Sequence, residues 1–264
     1  MRRPNLLKIY VYGMFVIVLV PILIVLPVAL TTTRYMTFPP VGFTLKWFGE
    51  CFQDEILFAT LVRSLRLGVL CAGPGVIIAL FASFVFARKN FRGKNLLESF
   101  FMGPRVIPLI ILVLGLLIFY HSIGLTERFL GLLLSHLVIT IPFAFRTLLP
   151  TVSSLDIRLE WAAKILGANW LITFFKVIMP QIKTGIIAAF VFTFIVSFNN
   201  VTMALFLSAP GQRTLPVELF TRLQVGGITP KTPAVCFLLA LVGVVLLIVL
   251  DKTFGIYKYL AGGE

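Results

Sequence analysis

Charged and amide side chains set inside long apolar runs are the residues whose chemistry this sequence most needs to explain. Arg66, Arg105 and Arg146 fall in or beside such runs, and the pair Asn199-Asn200 sits deep in another. A charge at membrane depth is costly, so it marks a functional position unless it lies near enough to an interface to snorkel. Arg66 and Arg146 lie near run ends, where snorkelling accounts for them. Arg105 is different, because Pro104 and Pro108 flank it and a helix broken there would let the guanidinium line a cavity. Arg105, Asn199 and Asn200 are therefore the candidate lining of a solute pathway. The central parts of the runs contain no Asp or Glu, which leaves no carboxylate for a proton relay or for paired acid–base chemistry. His121 is expected in an exposed loop and His136 as a polar contact between helices. Asn200-Val-Thr202 has the spacing of a glycosylation sequon, but its place within an apolar run argues against that use.

The elements that must hold these groups follow from composition. Of 264 residues, 59% are hydrophobic and 12% charged, whereas a soluble domain is roughly 45–50% apolar and about 25% charged. Charge-poor runs at about 9–30, 65–87, 99–120, 129–149, 185–207 and 233–250 each approach the roughly 20 residues that cross a bilayer as a helix. The expectation is an all-α membrane protein, a single domain over 1–264 with about six spans. The stretch from Ile9 to Thr31 is longer than the core of a secretory signal and reads as a retained first span. The net charge of +13 forms no continuous basic stripe, which speaks against nucleic acid. Segments 1–8, 88–98, 150–184 and 251–264 carry 13 Lys and Arg in 68 residues, against 7 in the 67 residues of 31–64, 121–128 and 208–232. By the positive-inside rule the first set, with both termini, is cytoplasmic. Cys51, Cys71 and Cys236 are odd in number and widely spaced, so they suit apolar packing rather than disulfides or a metal.

Two segments do not span. Residues 31–64 carry Pro, Gly and aromatic residues without a long periodic run and read as an ordered external segment with interfacial aromatics. The cytoplasmic segment 150–184 is too long for a bare loop. In it Ile157, Trp161 and Ile165 form a helical stripe with Arg158, Glu160 and Lys164 off it. Asp156 or Ser154 can cap its start, Gly167 supplies a left-handed stop, and Asn169 can cap a second short helix that Pro180 ends. The result is a helix-turn-helix elbow with small residues, Ala162 and Ala163, exposed beside the turn.

Glu160-Trp-Ala-Ala-Lys-Ile-Leu-Gly-Ala-Asn-Trp-Leu-Ile-Thr-Phe-Phe-Lys-Val-Ile-Met-Pro180 resembles the EAA loop of ATP-binding-cassette (ABC) import permeases of type I, the MetI-like fold. Ala162, Ala163, Gly167, Val177, Met179 and Pro180 fall on the pattern positions. Trp161 stands where the family has Glu, with Glu160 one place earlier and about 100° around the helix. The resemblance extends over nearly the whole chain and is closest to the spermidine/putrescine subgroup, through Phe43-Thr-Leu-Lys-Trp47, Phe91-Arg-Gly-Lys94, Ser135-His136 and Ser208-Ala-Pro-Gly-Gln-Arg-Thr-Leu-Pro216. It implies a permease subunit of the bacterial inner membrane with no enzymatic activity and no cofactor of its own. It also implies the partners: a second permease subunit, two copies of an ATPase subunit holding ATP and Mg, an external solute-binding protein, membrane lipid and no nucleic acid. Glu160, Trp161, Ala162, Ala163, Lys164, Gly167 and Pro180 become the coupling contacts to the ATPase. That division agrees with the lack of a Gly-x-x-x-x-Gly-Lys-Ser/Thr phosphate loop in this sequence.

The same resemblance bears on the solute. The spermidine permeases carry acidic residues at the places aligned with Arg105 and Asn199-Asn200, and here those places hold a cation and two neutral amides. That exchange disfavours a polyamine and favours a carboxylate or phosphonate, zwitterionic solutes such as an opine or an aminophosphonate included. The rival class is an ion-coupled secondary transporter, which ordinarily needs intramembrane ionisable groups or paired inverted repeats. Neither is visible in the sequence, nor is any motif of an intramembrane enzyme.

Overall fold

The fold is taken from a computed structural model that describes residues 6–209, 211–225 and 229–255. The chain ends, on which the expected cytoplasmic placement of both termini bears, lie outside the described residues. Everything regular among them is helical: α1 Leu6–Ala29, α2 Lys46–Phe52, α3 Glu55–Arg88, α4 Lys94–Met102, α5 Leu109–Ser122, α6 Phe129–Ser153, α7 Ile157–Ile165, α8 Trp170–Thr173, α9 Met179–Phe198, α10 Val201–Leu207, α11 Leu215–Val225 and α12 Lys231–Phe254. Four helical runs among the described residues are long and apolar enough to cross a bilayer: α3, α6, Trp170–Phe198 and α12. The pair Lys94–Arg105 and Leu109–Ser122 would make a fifth, and α1 is a further helix of 24 residues.

Three expected spans change shape. The third, 99–120, is no straight rod, because its two halves meet at 95°. Pro104 sits in a single 3₁₀ turn, Gly103–Arg105, and Pro108 caps α5 with extended ψ, while its ring disfavours helical geometry at Ile107 just before it. The second begins ten residues earlier than expected, and 34 residues make a rod of about 51 Å, longer than the hydrocarbon core. The fifth stops at Phe198, where Asn200 takes an extended conformation and starts α10. At its other end Pro180 does not terminate the elbow. A π-helical turn, Phe174–Ile178, runs straight into α9 and leaves Pro180 in the first turn, where its missing N–H is not needed. The Gln181 side-chain amide donates to the Val177 carbonyl at 2.7 Å.

The described chain forms two compact units. One comprises, among the described residues, 60–209, 211–217 and 249–255. Its core joins Val76, Ala79 and Phe86 of α3 to Phe145, Leu148 and Val152 of α6, and to Phe174, Ile178 and Ile182 of the run into α9. A second cluster packs Leu67, Val113, Tyr120, Leu132, Met203 and Leu207. His136 is fully buried there, its Nδ1 2.9 Å from Ser197 Oγ, the interhelical contact expected of it.

The other unit comprises, among the described residues, 6–59, 218–225 and 229–248. Trp47, expected among interfacial aromatics, is instead buried and donates its indole N–H to the Thr31 carbonyl at 2.7 Å. Asp54 caps α3 by accepting the Leu57 N–H at 3.0 Å. The same carboxylate binds Arg222 in a two-pronged contact at 2.8 and 3.2 Å and Lys231 at 2.6 Å, while Arg222 Nε also reaches Glu218 at 2.8 Å. Burial pushes the Asp54 carboxyl up, but the hydrogen bonds from Arg222, Lys231 and Leu57 outweigh it and hold the group well below the usual carboxylate range. Beside it, burial pushes the Cys51 thiol up to about 11. A carboxylate whose pKa is lowered by folding stabilises the fold fully above its unfolded value and loses that contribution as pH falls through the folded one. Wild-type thermal stability should therefore fall on acidification below about pH 4. Asp54→Asn should cost about 2–3 kcal/mol at pH 7, because it strands two cations, and should flatten the acid slope; a stability-versus-pH series on both proteins checks this.

Candidate functional site

The elbow is assembled from local signals. Asp156 accepts the Arg158 N–H at 2.9 Å and opens α7, and Asn169 accepts the Ile172 N–H at 2.8 Å and opens α8. Between them Gly167 has φ of +81°. Its N–H donates to the Lys164 carbonyl and that of Ala168 to the Ala163 carbonyl, both at 3.0 Å, a Schellman stop that favours glycine at the left-handed position. Trp170 stacks on Phe174 with ring centroids 5.3 Å apart, and Phe174 lies in the core beside Phe84 at 5.8 Å. Both arms of the elbow are thus fixed from within.

Where the coupling candidates sit divides them. Trp161, Ile165 and Leu166 are 55%, 85% and 87% exposed, so the expected stripe points away from the chain as bare apolar surface. Ala162, Lys164 and Gly167 are exposed as well, whereas Ala163 is buried against the chain and offers no surface. The small-residue patch therefore reduces to Ala162, because the step of about 100° between successive helix positions turns Ala163 toward the core. Glu160 faces inward too. It binds Arg88 at the end of α3 at 2.7 Å, and both Nη atoms of Arg88 also reach the Leu155 carbonyl at 3.2 Å. This clamp ties the elbow to α3 across 72 residues of sequence, a partnership that the place of Arg88 among the orienting charges of 88–98 does not reveal. Half-buried pairs of this kind act mainly when broken. Arg88→Ala should cost about 1–2 kcal/mol, and the swap Arg88→Glu with Glu160→Arg should recover part of it; melting of the purified variants measures both.

The pathway candidates also separate. Arg105 is exposed at the 95° bend, its guanidinium carbon 4.5 Å from the centroid of the Phe143 ring, within cation–π range. Asn199 is exposed at the end of α9, while Asn200 accepts the Met203 N–H at 2.8 Å and caps α10. Two adjacent amides thus do different work. Arg66 rests over the Phe129 ring at 5.3 Å, and Arg146 and His121 are exposed.

Helices with a broken third span, a broken fifth span and a capped elbow before the last two runs are a specific combination, and a family description, "Binding-protein-dependent transport system inner membrane component", matches residues 75–260. The chain belongs to this family. It is accordingly a permease subunit of an ABC importer, an inner membrane component and not an enzyme, with ATP hydrolysed on a partner. The chain is 28% identical over 219 residues to the spermidine/putrescine transport system permease protein PotC of Escherichia coli K12, covering 81% of this chain and 83% of that one. It is 30% identical over 212 residues to the putrescine transport system permease protein PotI of the same strain, covering 77% and 75%. In fold it matches a chain of a bacterial ABC transporter involved in the import of the acidic polysaccharide alginate, with a TM-score of 0.70 at 17% identity over 95% of this chain and 96% of that one. Family membership displaces the ion-coupled carrier as a reading of these helices.

Proposed function

We propose that this permease subunit forms half of a solute pathway and crosses the inner membrane six times with both termini in the cytoplasm, and that the α7–α8 elbow is the coupling helix that takes force from a separate ATPase subunit. The supporting observation is the bare apolar face of Trp161, Ile165 and Leu166 on a turn immobilised by two caps, a Schellman stop and the Arg88 clamp. Ala162, Lys164 and Gly167 complete the docking surface, while Glu160, Ala163 and Pro180 shape it from behind. The complex holds a second permease subunit, two ATPase copies that bind ATP and Mg, and an external solute-binding protein. An affinity-tagged chain should co-purify an ATPase and support uptake only with ATP. Uptake by the isolated chain in vesicles under an ion gradient alone would sink the reading.

The solute in this proposal is a small polar organic molecule carrying a carboxylate or phosphonate, zwitterions of the opine or aminophosphonate kind included. Arg105 and Asn199 are its candidate contacts, with Arg105 placing a fixed cation on an aromatic face at the helix break. A polyamine is the second reading, favoured by the names of the two relatives, and it would meet that same cation. Uptake of labelled putrescine by the reconstituted complex, competed with zwitterions, separates the two. Strong putrescine transport overturns the anion reading.

A further inference from the structure

The segment between the end of α3 and the bend at Arg105 carries a charge pattern that neither the pathway nor the elbow uses. Lys89, Arg92 and Lys94 lie within six residues, and none makes an ion pair among the described residues. Arg88 beside them is committed to Glu160. Both ends of the segment are pinned to one core ring: Phe91 and Phe101 meet Phe86 edge-on at 5.7 and 5.9 Å, and Phe101 meets Phe145 at 5.2 Å. Gly93, with φ of +85°, starts α4. Pinned in this way, α4 cannot turn its remaining apolar side chains inward, and Leu96 and Phe100 stay 77% and 76% exposed.

Leu96 and Phe100 are four residues apart and share a helix face; Lys94 and Glu98 occupy the opposite side, with Asn95 and Ser99 between the two. An exposed two-residue apolar ridge on a helix whose start and preceding turn carry three unpaired cations among the described residues has the chemistry of an interfacial helix: the ridge enters the boundary between headgroups and acyl chains while the bases meet phosphates. A soluble acidic partner would match the charges but leave Leu96 and Phe100 unexplained. An anionic bilayer surface matches both, and the chain is an inner membrane component.

We infer that Lys89, Arg92 and Lys94, with Leu96 and Phe100, form a binding site for anionic phospholipid headgroups on the cytoplasmic leaflet. This rests on the proposed orientation for its choice of leaflet, not for its chemistry. Each basic residue near such a surface contributes about fivefold in affinity, so loss of three charges is worth on the order of 100-fold.

The test uses the full chain in nanodiscs of phosphatidylcholine doped with phosphatidylglycerol, with retained phosphatidylglycerol counted by native mass spectrometry and its exchange followed against salt. Wild type should hold phosphatidylglycerol over phosphatidylcholine, less so as salt rises. Lys89→Gln, Arg92→Gln and Lys94→Gln together should lose that preference, and Lys89→Arg, Arg92→Lys and Lys94→Arg should keep it. Leu96→Ser with Phe100→Ser should weaken retention with the charges intact. A glutamine triple variant that retains phosphatidylglycerol like wild type overturns the site. So does one that keeps the lipid yet sheds the ATPase subunit, since the bases would then serve a protein. Separately, Asn90→Cys in a cysteine-free background should be labelled only after the membrane is opened. Labelling in intact cells would remove the cytoplasmic placement and the orientation under it, whatever the lipid counts show.

Discussion

A chain carrying Trp161→Ser and Ile165→Ser is expected to reach the membrane in normal amount and to lose its ATPase subunit on purification, with apparent affinity reduced at least about 100-fold. Both side chains are more than half exposed in the isolated chain, so removing them leaves its own core untouched, and surface substitutions of that sort usually stay within about 0.5 kcal/mol of stability. What they remove is apolar area that only a partner can bury. A tryptophan at the centre of a small interface commonly carries about 2 kcal/mol or more, and the isoleucine beside it excludes water from the same contact. The elbow around them is rigid before docking, so little ordering entropy is spent when it binds. ATP-driven uptake should fall with the co-purification, while the melting temperature of the purified chain stays put. If the doubly substituted chain still brings its ATPase through purification at the wild-type ratio, the elbow is not the docking surface. Trp161→Ser alone should show most of the loss. Lys164→Gln, exposed but polar, should show little.

How far this site could be read in the sequence depends on how local each signal is. Asp156, Gly167 and Asn169 act on backbone groups two to five residues away, so the caps and the turn of the elbow are legible as residue types at fixed spacing. Pro104 and Pro108 announce a break for the same reason, although the 95° angle depends on what α4 and α5 each pack against. Asn200 is ambiguous: in an apolar run it looks like a pathway residue, and the structure uses it as a helix cap, an equally local role that the continuity of hydrophobic residues through Leu207 conceals. Pro180 misleads in the opposite direction, because a π-turn just ahead of it absorbs the missing N–H, and such turns leave no residue signature. Contacts across the sequence were not legible at all. The partner of Glu160 is 72 residues away, the burial of Trp47 depends on the Thr31 carbonyl, and the inward face of Ala163 follows from how Arg88 and Trp170 orient the elbow. Apolar periodicity has the same limit here, since lipid, core and partner are equally apolar environments for Ile157, Trp161 and Ile165.

Gly185→Val is expected to destabilise the transmembrane core by about 2–3 kcal/mol, and Gly185→Ala by about 1–2 kcal/mol. Gly185 lies in α9 where it crosses α6, and a Cβ built there would fall 2.6 Å from Thr151 Cγ2 and 2.7 Å from Thr151 Oγ1. Thr151 has little freedom to retreat: it is β-branched, buried, and its hydroxyl donates to the Thr147 carbonyl at 3.0 Å. The helices must therefore part. A double-mutant cycle with Thr151→Ala isolates this contact, because deleting Cγ2 and Oγ1 leaves only Thr151 Cβ, at 3.2 Å, and Gly185→Ala should then cost little. An equal cost in both backgrounds would place the strain elsewhere. The functional consequence exceeds the stability loss, because α6 leads into the elbow and α9 carries the chain away from it. Parting the two helices at Thr151 and Gly185 changes the distance between the elbow's two roots. ATP-driven uptake by Gly185→Ala, measured at equal membrane abundance, should accordingly fall more than the folded fraction does, and Thr151→Ala should restore both together.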